Sequence, residues 1–147
     1  MPPLQEANMM ADASFIHRWF EEVWNQKSEA AIDELLAPDG VGHGLPGGSI
    51  RGPEEFKAYQ RNLVSVYPDL KVIVEDTVTE GDKIAARCRV TGIHQGDGLG
   101  FAATNKPVDF TGMLIVRVKD GQIVEAWNEF NFMDMFSQVG ALTLNAG

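Results

Sequence analysis

Apolar residues recur at helical spacing through the first part of the chain and at alternate positions through much of the remainder. Phe15, Ile16, Trp19, Phe20, Val23 and Trp24 stand at i, i+1, i+4, i+5, i+8 and i+9, one broad stripe on a first helix. Asp12 or Ser14 supplies its N-cap. A second helix is predicted from a cap at Ser28 through Ala31, Ile32, Leu35 and Leu36, with Pro38 as its stop. Asp39 to Gly52 contains six glycines and Pro46 and reads as loop with one short strand at most. Pro53 opens a third helix. Glu54 and Glu55 suit the positive end of its dipole, and Phe56, Tyr59, Leu63 and Val66 form its buried face until Pro68.

From Leu70 the period changes to two. Val72, Val74 and Val78 alternate with polar residues up to the turn Glu80-Gly81-Asp82. Ile84, Ala86, Cys88 and Val90 then alternate with Lys83, Arg87, Arg89 and Thr91. A loop rich in Gly and Asn leads to Phe110, Leu114, Val116 and Val118, and Asp120-Gly121 turns the chain into a last strand from Ile123 to about Asn131. Phe132, Met135, Phe136 and Val139 predict a short helix or an edge segment laid on the sheet. Helices first and a meander of long antiparallel strands afterwards is the α+β pattern, and a curved sheet with helices on one face has a concave side to fill or to leave as a pocket.

Composition narrows the partners. The chain has 147 residues, 12 Lys+Arg and 21 Asp+Glu, for a net charge of −9, and 44% hydrophobic residues, which describes one acidic globular domain. An acidic balance disfavours nucleic acid and anionic membrane surfaces, whose recognition draws on clustered Lys and Arg. One cysteine, Cys88, gives no disulfide framework, so a cytoplasmic setting is expected. The N-terminal residues lack the pattern of a signal peptide, and no apolar stretch approaches the ~20 residues of a membrane span.

Two glycine-rich stretches fail as nucleotide sites. Gly96-Asp97-Gly98-Leu99-Gly100 lies between antiparallel strands and is not followed by Lys-Ser/Thr, and Gly42-His43-Gly44 to Gly48 forms a turn at a pocket rim. His17, His43 and His94 have no metal-ligand spacing, so no metal is expected. His94 continues the series Ile84, Ala86, Cys88, Val90 and Gly92 toward the concave face, where a structural and a catalytic histidine both fit. Cys88 belongs to the core. On the last strand, Ile123, Glu125, Trp127, Glu129 and Asn131 share one face and Val124, Ala126, Asn128 and Phe130 the other. Both faces carry polar groups, and the alternation alone leaves open which is concave. If Trp127 faces inward, Glu129 enters the cavity with it, and desolvation there would raise its pKa toward that of a general acid/base.

Six short stretches then fall in order. They are Tyr67-Pro68-Asp69-Leu70, Glu80-Gly81-Asp82-Lys83-Ile84, Gly92-Ile93-His94-Gln95-Gly96, Thr104-Asn105-Lys106-Pro107-Val108, Asp120 to Trp127, and Gln138-Val139-Gly140. Together they resemble the SnoaL-like polyketide cyclase (ester cyclase) family of the nuclear transport factor 2-like superfold. The resemblance spans residues 13–140 as a single domain, with an arm at 1–12 and a tail at 141–147. It implies a cone-shaped barrel in which a curved antiparallel sheet surrounds a hydrophobic pocket closed by N-terminal helices. It also implies a homodimer or higher homo-oligomer formed through the outer sheet face, where Arg87 and Arg89 suggest a polar contact. The chemistry implied is an intramolecular aldol cyclisation of a polyketide ester with no metal or organic cofactor, run by one pocket Asp.

This chain departs from the family at that residue. The Asp falls four positions after the Trp and seven before the terminal Gln, and both counts reach Asn131. An amide hydrogen-bonds a carbonyl but does not carry a proton near neutral pH. Three alternatives stand. Glu129 takes the proton, with Asn131 and His94 orienting a small hydrophobic, carbonyl-containing substrate. Alternatively the domain binds a small apolar ligand without turning it over, or a bulge brings Asp134 inward. Trp127, Phe110 and Phe20 are the expected pocket walls, and His43 is the expected residue at the mouth.

Overall fold

The stripe that begins at Phe15 becomes α1, Ala13–Trp19, whose N-cap Asp12 accepts a hydrogen bond from the Ser14 N–H at 2.8 Å. In this computed structural model, which describes residues 12–141, the helix runs on as a π-helical turn, Phe20–Asn25. Trp19, Phe20, Val23 and Trp24 are all buried across that junction. Ser28 caps α2, Glu29–Leu35, by accepting from the Ala31 N–H at 3.1 Å. α3, Gly52–Val66, starts with Pro53 in its first turn, and the Arg51 N–H donates to the Glu55 carboxylate at 3.0 Å. The last helix, α4, spans Phe132–Gln138. Of the arm expected at 1–12 and the tail expected at 141–147, residues 1–11 and 142–147 lie outside the described residues.

The strands are β1 Leu36–Leu45, β2 Gly48–Arg51, β3 Lys71–Glu80, β4 Lys83–Ile93, β5 Pro107–Lys119 and β6 Gln122–Phe130. They form one curved sheet in the order β2-β1-β6-β5-β4-β3. The α+β class agrees with expectation. Two features differ. The sheet is not closed, because β2 and β3 are its edges, and the β1–β6 pair is parallel, within an otherwise antiparallel sheet. β1 and β6 come from opposite ends of the chain, so no hairpin turn dictates their relative direction. The glycine-rich stretch expected as loop is the β1–β2 hairpin. Glycine is needed where Gly44 passes β6: its φ is +82°, and a Cβ there would lie 2.0 Å from the Asn128 carbonyl oxygen.

β4 and β5 bury alternate residues, so Ile84, Ala86, Cys88 and Val90 face Leu114, Val116 and Phe110 on the concave side. The helices are tied over that side by side chains that satisfy backbone groups. Asn25 donates to the Val72 carbonyl at 3.0 Å and accepts from the Val72 N–H at 2.7 Å. Buried Gln60 donates to the Val23 carbonyl at 2.7 Å. These bonds fix the helical layer against β3 and hold α3 to the π-helical turn, which leaves a space between helices and sheet.

Candidate functional site: an apolar cavity between helices and sheet

That space is a cavity of about 80 Å³. Its helical wall is aromatic. Trp19, Trp24, Phe56 and Tyr59 meet edge-on or tilted, with ring centroids 5.2 Å apart for Trp19–Phe56 and 5.9 Å for Trp24–Tyr59. The sheet wall consists of Val90, Phe110, Leu114, Val116, Ala126, Asn128 and Phe130, and the β1–β2 hairpin adds Leu45 and Ile50. The polar groups of the lining side chains are the Asn128 amide, the Tyr59 hydroxyl and the indole N–H groups of Trp19 and Trp24. Burial pushes the Tyr59 phenol well above its ordinary pKa of 10.0, so it stays protonated.

Among the expected walls, Phe20 and Phe110 line the cavity. Trp127 does not. It is 39% exposed on the convex face, and Glu129 is exposed on that face beside Arg87 and Met113. Ala126, Asn128 and Phe130 are the residues that turn inward. The expectation of one shared face for Ile123, Trp127 and Glu129 is corrected by a bulge. Arg117 pairs with Glu125 but Val118 pairs with Ile123, so Val124 is an extra residue on β6. One added residue reverses the parity, placing Ile123 on the same side as Ala126 rather than Trp127.

Asn131 also lies outside the cavity. It is exposed and caps α4, its Oδ1 accepting from the Asp134 N–H at 3.0 Å. Asp134 sits exposed in the first turn of that helix, and no bulge brings it inward. His43, expected at the mouth, packs on the convex side. Its Nε2 lies 2.8 Å from Glu125 Oε2, and its ring is 6.0 Å from the Trp127 ring.

His94 is fully buried but does not line the cavity. The Thr104 N–H donates to its Nδ1 at 3.1 Å, so the neutral ring carries its proton on Nε2. Thr104 Oγ1 lies 2.9 Å from the same Nδ1. This pairing anchors the β4–β5 loop. Nε2 and the hydroxyl of neighbouring Tyr67 find no protein partner among the described residues, and burial raises the Tyr67 hydroxyl to about 12. No group of three His, Cys, Asp or Glu side chains able to hold a metal occurs among the described residues. No helix there is long and apolar enough to cross a membrane.

The family model for SnoaL-like polyketide cyclases matches residues 14–139. The chain belongs to the SnoaL-like polyketide cyclase family. Solved structures agree with that assignment. IdmH from Streptomyces antibioticus, proposed to be a polyketide cyclase, is 31% identical, with 87% of this chain and 97% of that one covered and a TM-score of 0.76. TsrD from Streptomyces laurentii is 27% identical, covers 90% of this chain and 99% of its own, and has a TM-score of 0.77. A SnoaL-like protein from Jannaschia sp. CCS1 shares the fold at a TM-score of 0.81 and 22% identity, over 97% of this chain and 99% of that one. No curated protein is similar enough in sequence to match.

For this SnoaL-like chain, the lining residues missed in the sequence were Asn128, Tyr59 and the Trp19–Trp24 pair. Tyr59 and both tryptophans were legible as buried helical faces, but nothing marked them as cavity walls rather than solid core. Asn128 had a local signal, since Ala126 and Phe130 flank it at two-residue spacing.

Proposed function

We propose that this SnoaL-like domain binds a small apolar ligand between its helices and its sheet, without turning it over by carboxylate acid/base chemistry. The observation that carries this reading is the lining itself, which includes aromatic and aliphatic walls, one amide and one phenol, but no carboxylate or imidazole. Aldol chemistry at neutral pH requires a group within hydrogen-bond reach that exchanges a proton near that pH. Asn128 does not ionise, and Tyr59 is held protonated. A cavity of about 80 Å³ also favours a compact ligand over a fused multi-ring polyketide.

The second reading is cofactor-independent cyclisation or isomerisation of a carbonyl-containing substrate, and family membership favours it. It would require Glu129, Asn131 or His94 to reach the substrate. The two readings separate on variants. Ala126→Leu narrows the cavity and is expected to weaken binding of a small aromatic probe such as p-cresol at least tenfold, while Glu129→Gln leaves binding unchanged. Loss of binding or turnover in Glu129→Gln would overturn the binding reading.

We also propose a homodimer formed through the convex face. Ile115 pairs with Trp127 in register, and both are exposed together with Met113. Arg87, Arg117, Glu125 and Glu129 surround them, two charges of each sign, which suits an interface made from two copies of one patch. A reducing, cytoplasmic setting fits Cys88, which is buried and unpaired.

A further inference from the structure

The amide of Asn128 has a defined orientation. It lies 2.9 Å from the His43 main-chain carbonyl on β1, and a carbonyl only accepts, so the NH₂ group faces the backbone. Nδ2 is thereby committed to holding β1 against β6. Oδ1 is the opposite end of the amide, and it makes no hydrogen bond with any described residue. Asn128 is half-buried and forms part of the cavity wall, so this oxygen is the lining's one side-chain group that can only accept.

We infer that the ligand presents a hydroxyl donor to Asn128 Oδ1, which assigns the cavity to compact cyclic alcohols or phenols rather than to ketones or ethers of the same shape. This rests on the ligand-binding reading above and adds its chemical selectivity. A ketone or ether oxygen placed there would set two acceptors against each other and leave both without a proton. A hydroxyl satisfies the amide while its ring fills the space between Trp19, Phe56, Phe110 and Leu114. The Tyr59 hydroxyl can donate or accept, and the indole N–H groups of Trp19 and Trp24 can donate to the oxygen of a hydroxyl, a ketone or an ether alike, so none of these groups discriminates between the two ligand types. Asn128 is on this account a specificity-determining residue, distinct from Asn131, which caps α4.

The test uses matched ligand pairs on the full chain, followed by calorimetric titration. The pairs are p-cresol against 4-methylanisole and cyclohexanol against cyclohexanone. The hydroxyl member of each pair is expected to bind about tenfold more tightly, the usual worth of one hydrogen bond. Asn128→Leu, checked for folding by circular dichroism, is expected to erase that preference, read as the ratio of the two affinities within each pair. Equal affinities within both pairs on the unmodified chain would overturn the inference even if the variant fails to fold. They would leave the cavity-binding reading intact. Absence of saturable binding by all four compounds would overturn both.

Discussion

Gly112 on β5 lies opposite Phe130 on β6, and a Cβ on Gly112 would stand 2.1 Å from the nearest atom of the Phe130 ring. The aromatic ring therefore lies across the glycine, filling the space a side chain would take. From there Phe130 lines the cavity and continues into Phe132, 6.2 Å away between centroids, which in turn meets Phe110 at 6.2 Å. A residue without a side chain thus sets one aromatic end of the cavity.

Gly112→Ala is expected to push Phe130 off the strand. Such overpacking typically costs about 1–3 kcal/mol, and the displaced ring should lower ligand affinity as well. Denaturant unfolding and ligand titration on the same variant check both effects. An affinity unchanged despite lost stability would mean that Phe130 is not a working wall.

Asn131 caps a helix, and Asn and Asp cap about equally well. Asn131→Asp should leave stability within about 0.5 kcal/mol, while Asn131→Ala should cost ~1 kcal/mol. Neither change should alter ligand affinity, because the residue lies outside the cavity. Thermal melts with p-cresol titrations decide this. Turnover of an aromatic polyketide ester appearing in Asn131→Asp would instead show that the family's acid acts from position 131.

Alkaline pH should weaken the fold before any disulfide chemistry is involved. Burial, with a smaller contribution from Glu75, raises the Cys88 thiol from 9.0 to about 12, and burial raises the Tyr67 hydroxyl from 10.0 to about 12. The folded state keeps these protons longer than the unfolded chain. Their contribution is therefore fully present below about pH 9 and declines as pH rises toward 12. Cys88→Ala should flatten the first part of that decline in unfolding experiments run between pH 8 and pH 11. An identical slope in the variant would remove Cys88 as a cause.

Ile115 and Trp127 form the centre of the exposed convex patch. Ile115→Glu places a charge at that centre. It is expected to convert dimer to monomer in sedimentation velocity, with ligand affinity retained because the cavity is on the other face of the sheet. A monomeric unmodified chain at all concentrations would contradict the proposed interface.

The helical caps and strand alternation were legible because each depends on neighbours in sequence. Asp12 and Ser28 cap as their residue types suggest, and the inward series from Ile84 to His94 follows from period two. The face of β6 was not legible, since Val124 is an ordinary strand residue and its bulge exists only through the pairing of Arg117 with Glu125 and Val118 with Ile123. The face that counting by twos shares among Ile123, Trp127 and Glu129 is therefore split, and Trp127 and Glu129, taken with the resemblance as a pocket wall and its acid, stand on the convex side. The β1–β2 hairpin was hidden for a related reason. Its glycines read as loop, but Gly44 is there because β1 passes against the Asn128 backbone, a contact between residues far apart in sequence.

The chain's three tryptophans give the most direct test of where the ligand sits. Trp19 and Trp24 belong to the cavity wall, and Trp127 lies on the convex face. Their indole N–H signals can be followed by two-dimensional NMR during a p-cresol titration, with each assigned by a Trp→Phe variant. Saturable shifts of Trp19 and Trp24, with Trp127 unmoved, are predicted. Saturable shifts of Trp127 together with the Glu129 and Asn131 amides, while Trp19 and Trp24 stay fixed, would contradict the account.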